Sequence, residues 1–543
     1  MALSEMPWTL IATGTVAIAA LFISRILAPV KDAQEPPFIP TSIPLIGHLI
    51  RLLCQGAAYL SAIDKTHHHG LYTLPILTGR LYIVNSPDWA LAMHKAHKTL
   101  SFNPLVVQAM RAIFAFDDPS MQVLEDNMNN ERGDRSGILL EMHDMMFGAF
   151  VQQIDELNAN FLRCWTPHIN ALAPTGKLES ISLWYWLRHH FSIASAASLY
   201  GPGSPLTLDP SLENDFWLFE NSIGPLFSIP YPSIFLRKAY QARQRLFDAF
   251  TEYTELDRYK LPGTSRLIQT RAEMTLRQFG LTKRIFAQGE LSMMFAAVVN
   301  TVPVTFWLLS YILADRELHA EVRAEIDRCV DIASGESGGS RRRCVLNVTK
   351  LKSQCPLFNS ALRETLRITA TMNINRLVQD DTLLANHSTG EEFLVKKGSG
   401  LAIAANVMHF QQDIWGDDAD VFNARRFLPT TEKSKSEGEG SKTADIAATF
   451  RDVKGKLHSG AFRSFGGGNN VCPGRQFAQT EIQSVVALFI AGFEIDMPDG
   501  APYKPPPSEG SKMIAGVSKP GMDVEVQVRR RAGYNDVEWV CEM

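Results

Sequence analysis

The sequence has no excess of one charge: 53 Lys and Arg stand against 57 Asp and Glu in 543 residues, a formal net charge of −4. Holding a phosphate backbone needs clustered excess Lys and Arg, so a nucleic-acid footprint is excluded as the main business of the chain. Cysteine is scarce, and its spacing pairs nothing. Cys54, Cys164, Cys329, Cys344, Cys355, Cys472 and Cys541 contain no C-x-x-C step, which excludes a disulfide scaffold and a paired-ligand zinc module. The default for each thiol is a small buried hydrophobe. Disorder is excluded too, because 45% of residues are hydrophobic and only 20% charged. At about 150 residues per domain the length suggests three or four domains, yet no repeat and no break between two apolar patterns divides the chain. One body from about residue 50 to 543 is the expectation.

What the sequence does have begins with an uncharged run from Met6 to Ser24. As a helix at ~1.5 Å per residue it spans roughly 28 Å, close to the ~30 Å core of a bilayer. Glu5 precedes it, and Arg25 and Lys31 follow it. That asymmetry favours an uncleaved transmembrane anchor over residues 6–26, with the body on the cytoplasmic side. A cleaved signal peptide is the alternative. The sequons at Asn347-Val348-Thr349 and Asn386-His387-Ser388 would carry glycan in a lumenal body and would then overturn the cytoplasmic orientation. Residues 27–49 form a Pro-rich hinge, in which Pro36, Pro37, Pro40 and Pro44 predict a stiff extended connector.

Apolar residues recur at three- and four-residue spacing in Gln152–Leu162, Leu183–Leu199 and Ala239–Tyr253, whereas strand-like runs are short, as in residues 71–85 and near 524. The expected fold is mainly α with small β-sheets. Residues 334–343 and 430–445 combine Gly, Ser and charge without periodicity, and both are expected to be mobile insertions. The segment Leu291–Leu313 is apolar on every side but flanked by Gln288, Glu290, Asp315 and Arg316, which predicts a central buried helix and not a second membrane span.

The most informative stretch is SFGGGNNVCPGRQFAQTEI, residues 464–482. Glycines let the backbone turn sharply and approach a bound group, Pro473 suits the first turn of a helix, and Cys472 stands at that helix's N-terminus, where the macrodipole favours a thiolate. Phe465, Gly468, Cys472, Gly474 and Ala478 fit F-x-x-G-x-x-x-C-x-G-x-x-x-A. This loop resembles the cysteine loop of the cytochrome P450 family, and the resemblance implies heme b with Cys472 as the axial ligand of its iron. In the order the family requires, Glu364 and Arg367 lie one helical turn apart and Arg426 follows in FNARRFL. The resemblance implies a buried Glu–Arg–Arg network supporting the heme pocket.

Leu291–Leu313 resembles the helix that crosses over the heme on its oxygen-binding side, where most members carry an acid followed by Thr. Here the stretch reads Ala296-Ala297-Val298-Val299-Asn300-Thr301-Val302-Pro303. Either Asn300 takes the Thr place with Val299 in that of the acid, or Asn300 replaces the acid and Thr301 survives. Pro303 removes the hydrogen bond to the Val299 carbonyl and predicts a kink there; Asn300 either holds a water beside that carbonyl or merely caps the kink. Asn300, Pro303 and Phe306-Trp307 are similar to the branch containing cholesterol 7α-hydroxylase and prostacyclin synthase. Asn470 stands where many relatives have a basic residue facing a heme propionate, and no W-x-x-x-R occurs near residues 130–160, so Arg376 is the candidate propionate contact.

The resemblance implies a membrane-bound heme-thiolate monooxygenase of the endoplasmic reticulum, its catalytic domain facing the cytosol. It would take electrons from NADPH through a partner reductase and insert one atom of O2 into a lipophilic substrate. Substrate walls are expected near 105–116, 223–235, 295–301, 369–373 and 513–517, all largely apolar. Lys283 and Arg475 are candidates for docking the electron donor. The Gly/Ser-rich insertions and divergent N-terminal half resemble fungal natural-product enzymes, which implies a terpenoid, sterol-like or polyketide-derived substrate. An isomerase or dehydratase acting on a peroxide without a reductase is the alternative that the missing acid permits. A non-catalytic heme-binding membrane protein is the remaining one.

Overall fold

A computed structural model of the protein describes residues 31–41, 43, 46–77, 79–174, 176–332, 342–371, 373–428, 460–509 and 516–543. The anchor at 6–26, the first residues of the hinge, most of the 334–343 insertion and all of 430–445 lie outside the described residues.

The Pro-rich connector is less independent of the body than its prolines suggest. Phe38 bridges to Thr73, Ile39 N–H donates to the Thr73 carbonyl (2.9 Å) and Thr73 N–H to that of Pro37 (2.8 Å). Helix Gly47–Gln55 already begins inside the expected hinge. His48 is buried there, bonded to Tyr59 Oη (2.6 Å) and the Ile39 carbonyl (3.0 Å). Backbone groups not consumed by proline find partners in the sheet, so the connector becomes part of the body.

Helices α1 (Ala57–His67), α2 (Pro87–Lys95), α3 (Asn103–Ala112), α4 (Ile138–Gln152), α5 (Ile154–Ala171), α6 (Leu183–Tyr200), α7 (Leu212–Asn221) and α8 (Arg237–Glu255) make up most of the first half of the chain, with a few short strands between them. The runs at 71–85 form an antiparallel hairpin, β1 (Leu71–Ile76) with β2 (Gly79–Val84). Two later strands, β3 (Asn373–Val378) and β4 (Gly400–Ala404), extend it; β4 pairs parallel to β2 and antiparallel to β3. A second sheet joins Glu179–Ser182 to Glu525–Arg530 and Phe493–Asp496. Arg342 and Arg343, expected in a mobile insertion, belong to strand Arg342–Asn347, which pairs with Val537–Glu542. Alternate residues Cys344 and Leu346 are buried, so strand periodicity wins over the charge of the arginines.

The centre is the apolar pair α10 (Lys283–Val298) and α11 (Thr301–Ala314), which follow α9 (Arg266–Ala272). Thr282 caps α10 by accepting from Ile285 N–H (3.2 Å). The span Lys283–Ala314 is long and apolar enough to cross a bilayer, yet 72% of its apolar window is buried inside the protein. Between the two helices, at Val299 and Asn300, the helical pattern breaks, where Pro303 has no N–H to offer Val299. Leu308 and Leu309 are fully buried, and shortening either to Ala would cost about 2–5 kcal/mol. Packed on α11 are α6, α13 (Pro356–Thr369) and α14 (Arg475–Gly492), and α12 (Arg316–Asp327) packs on α13. The Glu325 carboxylate on α12 caps α13 by accepting from Leu357 N–H (3.1 Å) and Phe358 N–H (3.0 Å).

Candidate active site

The cysteine loop is closed by its own backbone: Cys472 N–H donates to the Phe465 carbonyl (2.9 Å), Gly466 N–H to that of Arg463 (3.0 Å), and Ala478 N–H to that of Gly474 (2.9 Å) at the start of α14. Gly468 has φ +62°, and a Cβ there would lie 2.6 Å from His94 Nδ1, so left-handed backbone and close packing both require glycine. Cys472 stands just before α14, and burial pushes its thiol up, which the Gly474 N–H and Arg475 only partly oppose. The macrodipole reading left out the desolvation that a closed loop imposes.

Glu364 and Arg367 are fully buried on α13. The pair is bidentate, Arg367 Nε to Glu364 Oε2 at 2.8 Å and Nη2 to Oε1 at 2.7 Å, and Arg426 Nε joins at 3.0 Å. Two members of this network escaped the sequence. Asp418 receives Arg426 Nη1 at 2.8 Å. His409 bonds the Arg367 carbonyl through Nδ1 (2.9 Å) and accepts from Arg463 N–H through Nε2 (2.9 Å). The second bond makes Nδ1 the protonated nitrogen, so one imidazole ties the ion network to the segment leading into the cysteine loop. A His five residues after Ala404, the last residue of β4, gave no spacing signal; only the tertiary contact finds it.

Where α10 meets α11, burial separates Asn300 from Thr301. Ala296 is exposed although its helix lies in the core, and Asn300, one turn later, is partly exposed, while Val299 and Thr301 are buried. The face bearing Ala296 and Asn300 therefore borders open space. Thr301 Oγ1 donates to the Ala297 carbonyl (2.9 Å), and Asn300 Oδ1 is buried without a hydrogen-bond partner. Asn300, not Thr301, shares the more accessible face with Ala296. A Cβ on Gly516 would lie 2.5 Å from Asn300 Oδ1, so this glycine of the C-terminal segment shapes the amide's seat.

One cavity of about 330 Å³ is walled by Gly289 and Ser292 of α10 on one side and by Asn470, Val471 and Pro473, which flank Cys472, on the other. Phe102, Val106 and Met110, from the expected wall at 105–116 and just before it, line it as well. The 223–235 wall is only partly realised: Ile223 and Leu226 are buried, whereas Phe227, Tyr231, Ile234 and Phe235 are 43–70% exposed and point away from any interior. Arg376 on β3 is buried, donates to the Asn375 carbonyl (2.7 Å) and lies over the Phe102 ring at 5.6 Å. Burial lowers it to about 10. Lys283 is engaged by Asp257 (3.0 Å), and Arg475 Nη1 by the Cys472 carbonyl (3.2 Å).

Residues 211–522 match the family described as Cytochrome P450, and over 97% of its length the chain is 30% identical to a cytochrome P450 monooxygenase of Gibberella zeae, covering 95% of that protein. The chain belongs to the cytochrome P450 family. This P450 is also 26% identical to cytochrome P450 monooxygenase nodJ of Hypoxylon pulicicidum (94% of this chain, 92% of that one) and 24% identical to mouse cytochrome P450 7B1 (96% of each). Its fold is similar to the heme domain of cytochrome P450DA, with a TM-score of 0.65 at 16% identity over 92% of this chain and 99% of the other. The mainly α fold with small sheets is thus that of a P450, and the enzyme is a heme-dependent monooxygenase that works with a redox partner, O2 and a substrate.

Proposed function

We propose that this P450 binds heme b through the Cys472 thiolate and inserts one oxygen atom into a lipophilic substrate of terpenoid, sterol-like or polyketide origin, in secondary-metabolite biosynthesis. The observation that carries this is a cavity walled by both α10 and the cysteine loop. Phe465, Gly468 and Gly474 shape the loop around Cys472, and Arg376, buried with no carboxylate beside it among the described residues, would hold a heme propionate. Glu364, Arg367 and Arg426 support that wall and touch no reactant.

Bound there, the heme supplies oxygen activation, and a thiolate ligand donates the electron density that favours O–O cleavage. The chain supplies the proton path. Asn300 Oδ1, which has no protein donor, or the Val299 carbonyl, deprived of its donor by Pro303, would anchor a water through one O–H and leave its other O–H free to hand on a proton. Electrons come from NADPH through a membrane reductase.

A bilayer anchor at 6–26 sets the body beside the membrane of the endoplasmic reticulum, and the exposed Phe227, Tyr231, Ile234 and Phe235 suit the same surface. A cytosolic body is supported by both sequons. Asn347 Oδ1 caps a helix at Lys350 N–H (2.8 Å), and Asn386 is buried, accepting from Ser388 N–H (2.9 Å).

The test is the absorption spectrum of the reduced, CO-bound chain, with Cys472→Ser as control, followed by turnover with NADPH and reductase. A thiolate-type band in wild type alone, with product only when both are present, is the expected result; a folded wild type without the band removes the heme reading. Val299 in the acid's place favours a second reading, isomerisation or dehydration of a peroxide, which turnover without NADPH would establish.

A further inference from the structure

The cavity contains a charged group for which the oxygen chemistry has no use. Arg271, on α9, lies in its wall together with Glu290 of α10. Its Nε donates to Glu290 Oε1 at 2.8 Å, but Nη1 is directed at two thioether sulfurs, Met142 Sδ at 3.3 Å and Met146 Sδ at 3.8 Å, both from α4. Thioether sulfur is a weak acceptor. Most of the rest of the wall, including Val106, Met110, Phe116, Ile285 and Phe286, is apolar, and its other polar groups, among them Asn103, His143, Thr275, Ser292 and Asn470, carry no full charge when His143 is neutral. A guanidinium set among such groups gains a charge-assisted hydrogen bond from any ligand oxygen that reaches Nη1.

Glu290 decides which oxygen that is. Its carboxyl is fully enclosed, and although burial pushes it up, Arg271 opposes this by charge and hydrogen bond. A carboxylate ligand would bring a second anion against Glu290, whereas a neutral carbonyl or hydroxyl oxygen meets only the guanidinium. We propose that Arg271 is a specificity residue that holds a neutral carbonyl or hydroxyl oxygen of an otherwise apolar substrate. This rests on the reading of the cavity as the substrate site. The substrate then arrives already oxygenated, and a reaction that installs or retains that oxygen must precede this one.

The full chain carrying heme is titrated with the sesquiterpene valencene and with its ketone nootkatone, which share one skeleton, by the heme spin-state band and by calorimetry. Wild type is expected to bind the ketone about tenfold tighter or more. Arg271→Met should level the two by weakening the ketone alone. The double variant Arg271→Met with Glu290→Leu leaves no charge buried alone and should behave like Arg271→Met, which separates loss of recognition from misfolding. Equal affinity of the two probes in wild type, or a ketone preference that survives Arg271→Met, overturns the proposal. The reduced CO band is read first: a chain that shows it and lacks the ketone preference overturns the role of Arg271 alone, and the heme reading stands.

Discussion

Glu364→Gln is the sharpest probe of how the heme pocket is held. Glu364 Oε1 accepts from Arg367 Nη2 (2.7 Å), Arg426 Nε (3.0 Å) and Asn423 N–H (3.0 Å), and Oε2 accepts from Arg367 Nε (2.8 Å) and Arg426 Nε (3.1 Å). Glutamine fits the space but turns one of these oxygens into an NH2 facing guanidinium donors. Two charged hydrogen bonds are then lost, at about 1.5–3 kcal/mol each, and Arg367 stays buried with only carbonyls around it; the cost is about 3–5 kcal/mol. Unfolding entropy of ~2.1 cal/mol/K per residue over 543 residues gives about 1.1 kcal/mol/K, so Tm should fall by about 3–5 °C. Calorimetry of the heme-loaded chain measures the shift, and the CO spectrum of the same sample should show a smaller thiolate-type band. A Tm within about 1 °C of wild type with unchanged heme content would refute the claim that this network carries the pocket.

Three further outcomes are expected. His409 is fully buried beside Arg367, and burial foremost lowers it to about 3; the unfolded chain takes up this proton below about pH 6.5 while the folded one does not, so stability falls with acid, by about 2 kcal/mol for this group at pH 5. His409→Gln should flatten the pH 7-to-5 slope by that amount, and an unchanged slope in the variant counts against the assignment. Gly516→Ala places a Cβ 2.5 Å from Asn300 Oδ1 and should cut product formed per NADPH about tenfold while leaving the CO band intact; unaltered coupling would show that the Asn300 amide does not govern proton delivery. In a chain beginning at Lys31, replacing Phe227, Tyr231 and Phe235 by Ser should weaken co-sedimentation with lipid vesicles by about 1–2 kcal/mol per residue, and equal partitioning would detach that loop from the membrane.

The cysteine loop was legible because its chemistry is local: turn glycines, a helix start and a thiol must follow one another within a few residues, so spacing alone carries the site. Glu364 and Arg367 were legible for the same reason, as neighbours on one helical turn. Asn300 against Thr301 was not, because consecutive helical residues point about 100° apart and only burial in the folded chain decides between them. Asp418 and His409 were invisible for a further reason. They belong to irregular segments before the cysteine loop, where no period marks an inward face, and the contacts that matter run to α13, to Arg426 and to Arg463.

Arg271 and Glu290 are the extreme case: neither sits in a motif, and the pair forms only because α9 folds back on α10. A buried ion pair adds little net stability, since desolvating two charges offsets most of their attraction. Apolar residues of the same volume would hold α9 against α10 at least as well, and packing alone does not account for a guanidinium directed at thioether sulfurs in a cavity wall. The other buried ion network, Glu364 with Arg367 and Arg426, is saturated with strong oxygen acceptors on every side. Arg271 differs by having strong acceptors on one side only, and that asymmetry distinguishes a group arranged to receive a ligand oxygen from one arranged to brace a fold.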